Sequence, residues 1–386
     1  MYDVRNSGLT KLLCLVIFAT NITQMPQLIG SEINTIILYS AWGILVLNVL
    51  LKGNMNSNSY FFKAIVLMVL FVVYCYVVGL LTRHNYIHSS MVYPFLLSTF
   101  VFCIGCLLSN RIDEIDFKAL YKMYIISGLI VSIAVYYSAF AGGFSVMGRA
   151  YAYASKDSVS QILLSVLILA VFVEFKGFPS PLIRTIIALY MIYMLGILRS
   201  RASIIGIAVI AIYVFRNRSV KRSTKRLFIL GAIAGLVVVF TNANAYNIVV
   251  NGILLAGRNV NNLNDITSGR MYMIQEFKML FPSVWFGGIG SYYLESFPLS
   301  ILVQYGVIGS LLLLLFCMLP IRIVRKCERD ESITILTLLI VCYYLNGLFE
   351  ELSPLGPGVK CYLLWFLAGL KSMEAQYGRA MFEGNI

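Results

Sequence analysis

Charge is what this sequence has least of. Only 12% of its 386 residues are Asp, Glu, Lys or Arg, against roughly 25% in a soluble domain. No stretch is polar enough to form a separate soluble domain, so the length does not divide into two or three of them. Histidine is nearly absent, with only His84 and His88, which sit in one short loop at i, i+4 spacing without a helix to hold them. The pair Cys103 and Cys106 has no second pair beside it, and no phosphate-binding Gly-Lys loop occurs. These absences give no metal site and no cofactor-binding motif. The eight cysteines lie mostly inside apolar runs rather than clustered in loops, which excludes a disulfide framework and predicts helix packing for them.

What is abundant is apolar sequence: 60% of residues, with a mean hydropathy of +0.84. Runs of the length that crosses a bilayer recur along the chain. Helices are predicted at about 12–30, 33–51, 62–82, 91–109, 119–141, 159–175, 182–198, 202–215, 227–241, 298–319, 333–349 and 359–372. The reading is an all-α polytopic membrane protein of about twelve transmembrane helices, forming a single membrane domain over 1–386. The N-terminal apolar run lacks a small-residue cleavage site and is read as a retained helix.

The net charge of +13 would suit nucleic acid, but its placement suits a bilayer instead. If the N-terminus is cytoplasmic, nine of the 30 basic residues face outward: Arg83, Arg149, Lys156, Arg199, Arg201, Arg258, Arg270, Lys278 and Lys360. The rest gather at the inner side, in runs such as RNRSVKRSTKR (216–226). That is the positive-inside pattern, and an even helix count leaves both termini cytoplasmic. No nucleic-acid partner is expected; membrane lipid is.

Two outer loops are long, 142–158 and 242–297. The second contains AGRNVNNLNDITSGR, with four Asn, an Asp and two Arg in fifteen positions. From Gly269 onward its pattern turns helical: Met273, Ile274, Phe277, Leu280 and Phe281 share one face. An interfacial amphipathic helix is expected at about 268–281, with Thr267 or Ser268 as its N-cap and Arg270 in its first turn. FPSVWFGGIG (281–290) then ends it. Outward arginines in separate segments, namely Arg149, Arg199, Arg201, Arg258 and Arg270, suggest a phosphate-binding basin, since a guanidinium offers a bidentate fork to phosphate oxygens. Snorkelling to the interface is the plainer account of any single one. Tyr272, Trp285, Tyr292 and Tyr293 are outward aromatics suited to sugar faces or to interface anchoring.

GRAYAYASKDSVSQ (148–161), LRSRASIIGIAVI (198–210) and SGRMYMIQEF…FGGIG…ESFPLSILVQYGVIG (268–309), in that order, resemble the signature segments of the O-antigen polymerase and O-antigen ligase superfamily. Arg258 and Gly269 are separated by ten residues, as in the outer-loop pattern of some polymerases, whereas Arg149 is followed by Ser160 where glycine is wanted. Ligases and many polymerases carry a histidine about eleven residues before the first glycine of G-x-x-G. Here that glycine is Gly306 and the position is Glu295, which favours a polymerase.

The resemblance implies a GT-C-type glycosyltransferase, metal-independent and without cofactor, in the bacterial inner membrane with its site facing the periplasm. It would move a growing glycan from undecaprenyl diphosphate to a new lipid-linked repeat unit, and a chain-length regulator protein is implied as a partner. The expected diphosphate and glycan contacts are Arg149, Arg199, Arg201, Arg258, Arg270, Tyr272 and Tyr292. Glu295 is the first candidate base, Glu276 the second, and Glu350 or Glu351 the third. The alternatives are a ligase passing finished glycan to another acceptor and a lipid-linked oligosaccharide flippase.

Overall fold

The computed structural model describes residues 7–52, 58–83, 86, 91–139, 156–175, 179–198, 200–216, 237, 240–254, 269–356 and 361–378. Among them every regular element is helical. The order is α1 (Gly8–Ile22), α2 (Glu32–Leu51), α3 (Ser59–Thr82), α4 (Val92–Leu108) with a 3₁₀ turn at Ser109–Glu114, α5 (Phe117–Ala139), α6 (Lys156–Phe172), α7 (Pro181–Ile197) and α8 (Arg201–Arg216). A short helical stretch follows at Ala243–Tyr246 and Asn247–Leu254. Then come α9 (Arg270–Val284), α10 (Phe297–Lys326), α11 (Glu331–Gly347), α12 (Tyr362–Leu370) and α13 (Ser372–Tyr377).

Among the described residues five helices are long and apolar enough to cross a membrane: Glu32–Leu51, Ser59–Thr82, Val92–Glu114, Phe117–Ser138 and Phe297–Lys326. Five more apolar helices, α1, α6, α7, α8 and α11, fall one to a few residues short of that length. A multi-pass membrane protein is consistent with this set, which is smaller than the expected twelve by the length criterion. The span expected at 227–241 lies almost wholly outside the described residues. The expected 298–319 segment is a longer helix, because α10 continues to Lys326.

Helix starts follow local chemistry. Ser31, Asn58, Ser180 and Asp330 each accept a backbone N–H three residues on, satisfying one of the donors that a first turn leaves over. Pro181 opens α7, where its missing N–H costs nothing.

Packing is uneven across the molecule. α4 buries twelve residues and α12 all nine of its own, whereas α2 buries only Ala41, Trp42 and Leu45. The side chains α2 leaves outside are apolar, among them Ile33, Ile36, Leu47 and Leu51, the composition of a lipid-facing surface. α4 and α12 approach so closely because both present glycine. A Cβ on Gly105 would fall 2.6 Å from the Phe366 carbonyl oxygen. Beside this contact Trp365 stacks on Phe316, ring centroids 4.5 Å apart, and Phe71, Phe95 and Phe316 continue edge to face. Buried polar groups tie other helices. Asn21 of α1 donates to Ser127 of α5 at 2.8 Å and accepts from Tyr362 of α12 at 3.2 Å. All eight cysteines are free thiols, seven of them buried, as the apolar runs predict.

α11 has seventeen residues, so its ends lie about 25 Å apart, close to the thickness of a hydrocarbon core. At one end Lys371 meets Asp330 and Glu374. At the other end lie Arg270, Glu295 and the turn Phe349–Ser353.

Candidate functional site

α9 begins at Arg270 as expected, but not with the expected cap. Gly269 is the N-cap, at φ +82°, a left-handed conformation that glycine adopts freely and that threonine and serine avoid. Glycine has no side chain to cap the helix. Thr267 and Ser268 themselves lie outside the described residues. α9 buries none of its residues and runs on to Val284, through Pro282, so it is a surface element as the amphipathic pattern predicts.

The glycines that follow have a definite job. α10 is broken at Gly306, which sits at φ +62°, ψ −168°. The break frees backbone groups, and the incoming loop takes them up. Ile289 N–H donates to Val303 O at 2.9 Å and Gly290 N–H to Gln304 O at 2.9 Å, while Val307 N–H donates to Trp285 O at 2.8 Å. A Cβ at Gly306 would overlap the Phe286 carbonyl, and one at Gly288 the Gln304 carbonyl. So the FGGIG and GVIG segments are two halves of one interlocked backbone joint. Hydroxyls from around α3 cover it: Tyr74 donates to Tyr305 O at 2.5 Å, and Tyr86 to Gly288 O at 2.7 Å.

Beyond the joint the chain turns back along the start of α9, and an open cleft of about 220 Å³ lies between them. Gly269, Arg270, Tyr272, Met273, Glu276, Tyr293, Leu294 and Glu295 line it. Arg270 has a side chain 22% exposed, and its guanidinium is held on several sides. It donates to the Phe349 carbonyl at 3.1 Å and lies 5.2 Å from the centre of the Phe349 ring. It also meets the Glu295 carboxylate at 3.7 Å. On the same helix, six residues further on, Glu276 accepts a hydrogen bond from Tyr292, which raises the Tyr292 pKa.

Five carboxylates converge on this end of the molecule. Burial, then Glu295, Glu351, Asp157 and Glu350, push the Tyr293 phenol up to about 12, so it remains a hydrogen-bond donor across the working pH range. Glu350 accepts from Gln161 of α6 at 3.1 Å, and its backbone carbonyl accepts from Phe297 N–H at the start of α10. Glu351 is buried and accepts from Ser300 at 2.8 Å and from Gln304 at 2.5 Å.

Of the residues singled out from sequence, Arg270, Tyr272, Glu276, Tyr292 and Glu295 meet in or beside the cleft. Trp285 does not; it lies at the far end of α9, where its ring packs against Phe286. Arg149, Arg199 and Arg258 lie outside the described residues, as does most of the 142–158 loop. Arg201 opens α8, and its side chain is outside them too. Ser200, between Arg199 and Arg201, bonds to Ser160 of α6 at 3.2 Å, next to Gln161.

Phe349, Gln161, Ser300 and Gln304 were given no individual role from sequence, although the last three lie within the segments that carry the resemblance. A polar signal was present in two of them, since Gln161 and Gln304 are amides embedded in apolar runs. Phe349 carried none, because one more aromatic in an apolar chain says nothing until the fold lays it on Arg270. Among the described residues no cluster of three or more His, Cys, Asp or Glu is arranged to hold a metal ion. The chain matches no family model and no curated protein sequence.

Proposed function

We propose that this chain is a membrane-embedded glycosyltransferase of the GT-C type. It polymerises a surface polysaccharide by moving a growing glycan from undecaprenyl diphosphate onto the end sugar of a fresh lipid-linked repeat unit. One observation supports this more than any other: Arg270 and Glu295 face each other at 3.7 Å across an open cleft at the end of an apolar helix bundle. The resemblance of the 148–309 segments to O-antigen polymerases supplies the chemistry that such a pair would serve.

In that reaction the acceptor hydroxyl oxygen attacks the anomeric carbon of the donor. The bond from that carbon to the diphosphate oxygen breaks, and its electron pair leaves on the phosphate. Arg270 offers a fixed cation where that charge grows, and stabilisation of this kind is commonly the largest catalytic term. The N–H groups of the first turn of α9 add to it, since they have no partner within the helix. The hydroxyl proton passes to Glu295. A half-exposed ion pair is worth less than about 1 kcal/mol, so an arriving diphosphate displaces Glu295 from Arg270 at little cost. Tyr272, Tyr292 and Tyr293 offer aromatic faces and phenols for the acceptor sugar, with Glu276 holding Tyr292. Arg149, Arg199, Arg201 and Arg258 complete the diphosphate and glycan contacts in this proposal. The site faces the periplasm, both termini are cytoplasmic, and a chain-length regulator protein is the proposed partner.

The test is polymerisation in vitro from purified lipid-linked repeats in bilayer discs. Wild-type protein extends them into a ladder, and Arg270→Ala, inserted at normal level, yields no product beyond a single repeat. A ladder of unchanged length from Arg270→Ala removes the assignment. Transfer of finished glycan to another acceptor would mark a ligase, and translocation without new glycosidic bonds a flippase.

A further inference from the structure

The cleft has two sides built by different parts of the chain, and Gln304 ties one of them to the turn that holds Arg270 of the other. Gln304 lies in α10 two residues before the break at Gly306, fully buried. Its backbone carbonyl accepts from Gly290 N–H at 2.9 Å, and its side-chain Nε2 donates to the Tyr292 carbonyl at 2.7 Å. One residue thus grips the returning chain at two points two residues apart, immediately before Tyr293, Leu294 and Glu295 line the cleft. The same Nε2 is 2.5 Å from Glu351 Oε1 and 2.8 Å from Ser300 Oγ, and Ser300 Oγ donates to Glu351 Oε1 at 2.8 Å. Both Ser300 and Glu351 are buried, at 0% and 4% exposure. Glu351 belongs to the turn whose Phe349 holds the Arg270 guanidinium.

We infer that Gln304, oriented by Glu351 and Ser300, is the positioning residue that sets Glu295 against Arg270. This inference rests on the glycosyl-transfer reading for what the alignment achieves, but the grip itself is independent of it. The amide suits the place because it must donate to two kinds of oxygen at once, a backbone carbonyl and a carboxylate. Glutamate at 304 would place an acceptor against both, and methionine would fill the volume with no donor. Without the amide the Tyr292 carbonyl keeps only the long 3.5 Å bond from Ser300 Oγ, so it has to move toward a donor, and the Tyr292–Glu295 segment moves with it.

The experiment uses full-length protein in bilayer discs, with Gln304→Met as the main variant and Ser310→Ala as a control. Ser310 sits on the same helix and makes a comparable bond, to the Gly306 carbonyl at 2.6 Å. Amide hydrogen exchange in peptides covering 288–296 is expected to quicken at least tenfold in Gln304→Met, with peptides of α6 and α11 unchanged and the control like wild type. Turnover of lipid-linked repeats is expected to fall at least tenfold with the acceptor KM within twofold, the split that misalignment gives and lost binding does not. Unchanged exchange over 288–296 overturns the inference, and so does quickened exchange with undiminished turnover. Should Gln304→Met fail to fold, Ser300→Ala carries the same test with a threefold change expected in both readings and no change as the refutation. If wild-type protein forms no glycosidic bond at all, the functional reading falls, and exchange alone judges the grip.

Discussion

Glu295 stands where the resembled family places a histidine, and in the fold it faces Arg270 rather than a neighbour on its own element. A neutral imidazole beside a guanidinium would gain little from it, whereas a carboxylate is held in place until an anion competes. That exchange makes a residue-level prediction. Glu295→Gln keeps shape and hydrogen-bonding capacity but removes the carboxylate proposed as the base, so the proposed polymerisation should slow by about 10²–10⁴-fold. Glu276→Gln should have a smaller effect, because the Glu276 carboxylate is already engaged by Tyr292. Initial rates on matched amounts of protein decide between the two acids, and a Glu276→Gln variant slower than Glu295→Gln moves the assignment to Glu276.

Among the elements, the glycine joint between the loop Trp285–Gly290 and α10 decides how the site is built. The sequence shows both glycine groups, yet it cannot show that they meet, since seventeen residues separate Gly288 from Gly306. The physical reason for their pairing is backbone economy. A helix broken inside a membrane leaves carbonyls and N–H groups that water cannot reach, and the loop backbone answers them. Gly306→Ala should therefore lower stability by about 1–3 kcal/mol from the positive φ alone, with more from overlap with the Phe286 carbonyl. Gly269→Ala should cost only the φ term, because nothing lies within 4 Å of a Cβ there. Thermal unfolding of the two variants in the same detergent gives the order, and equal midpoints would refute the joint. α9 was legible in outline from the 3.6-residue spacing of Met273, Ile274, Phe277 and Phe281. Its cap was misread because Ser and Thr are the usual N-cap residues, whereas here the chain turns through the left-handed region and only Gly269 does that cheaply.

At the scale of the whole molecule, the end opposite the cleft is closed by charge. Lys371, 6% exposed, donates to Asp330 at 2.7 Å and to Glu374 at 2.8 Å, with the Phe117 ring 5.9 Å away. Burial pulls its pKa down, but the bonds to Asp330 and Glu374 outweigh burial and leave it raised above the ordinary lysine value. A raised folded-state pKa contributes stability that is complete below the unfolded value and is lost as pH climbs through the folded one. The clamp should thus be intact at neutral pH and weaken only in strong alkali. Lys371→Met leaves the carboxylates of Asp330 and Glu374 close together without their cation, and should cost about 3 kcal/mol at pH 7. Unfolding of wild type and variant across pH 7–11 should show the gap narrowing at the alkaline end; a gap that stays constant means that packing of the stem, not charge, holds this end.

The sequence alone determined the solvent in which this chain folds. Long apolar runs and scarce charge depend only on local composition, and composition decides whether a helix prefers lipid to water. It also marked Arg270, Glu276 and Glu295 as the groups to follow, because a charge near an apolar run is costly and must have a purpose or a partner. Only tertiary structure decided which partner. The Phe349 ring under Arg270, the Gln304–Glu351 grip on Tyr292 and the Gly288–Gly306 joint join residues from 12 to 79 positions apart in the chain. Contacts at that separation depend on how helices cross, and crossing is set by packing over the whole bundle, not by any local spacing of residues.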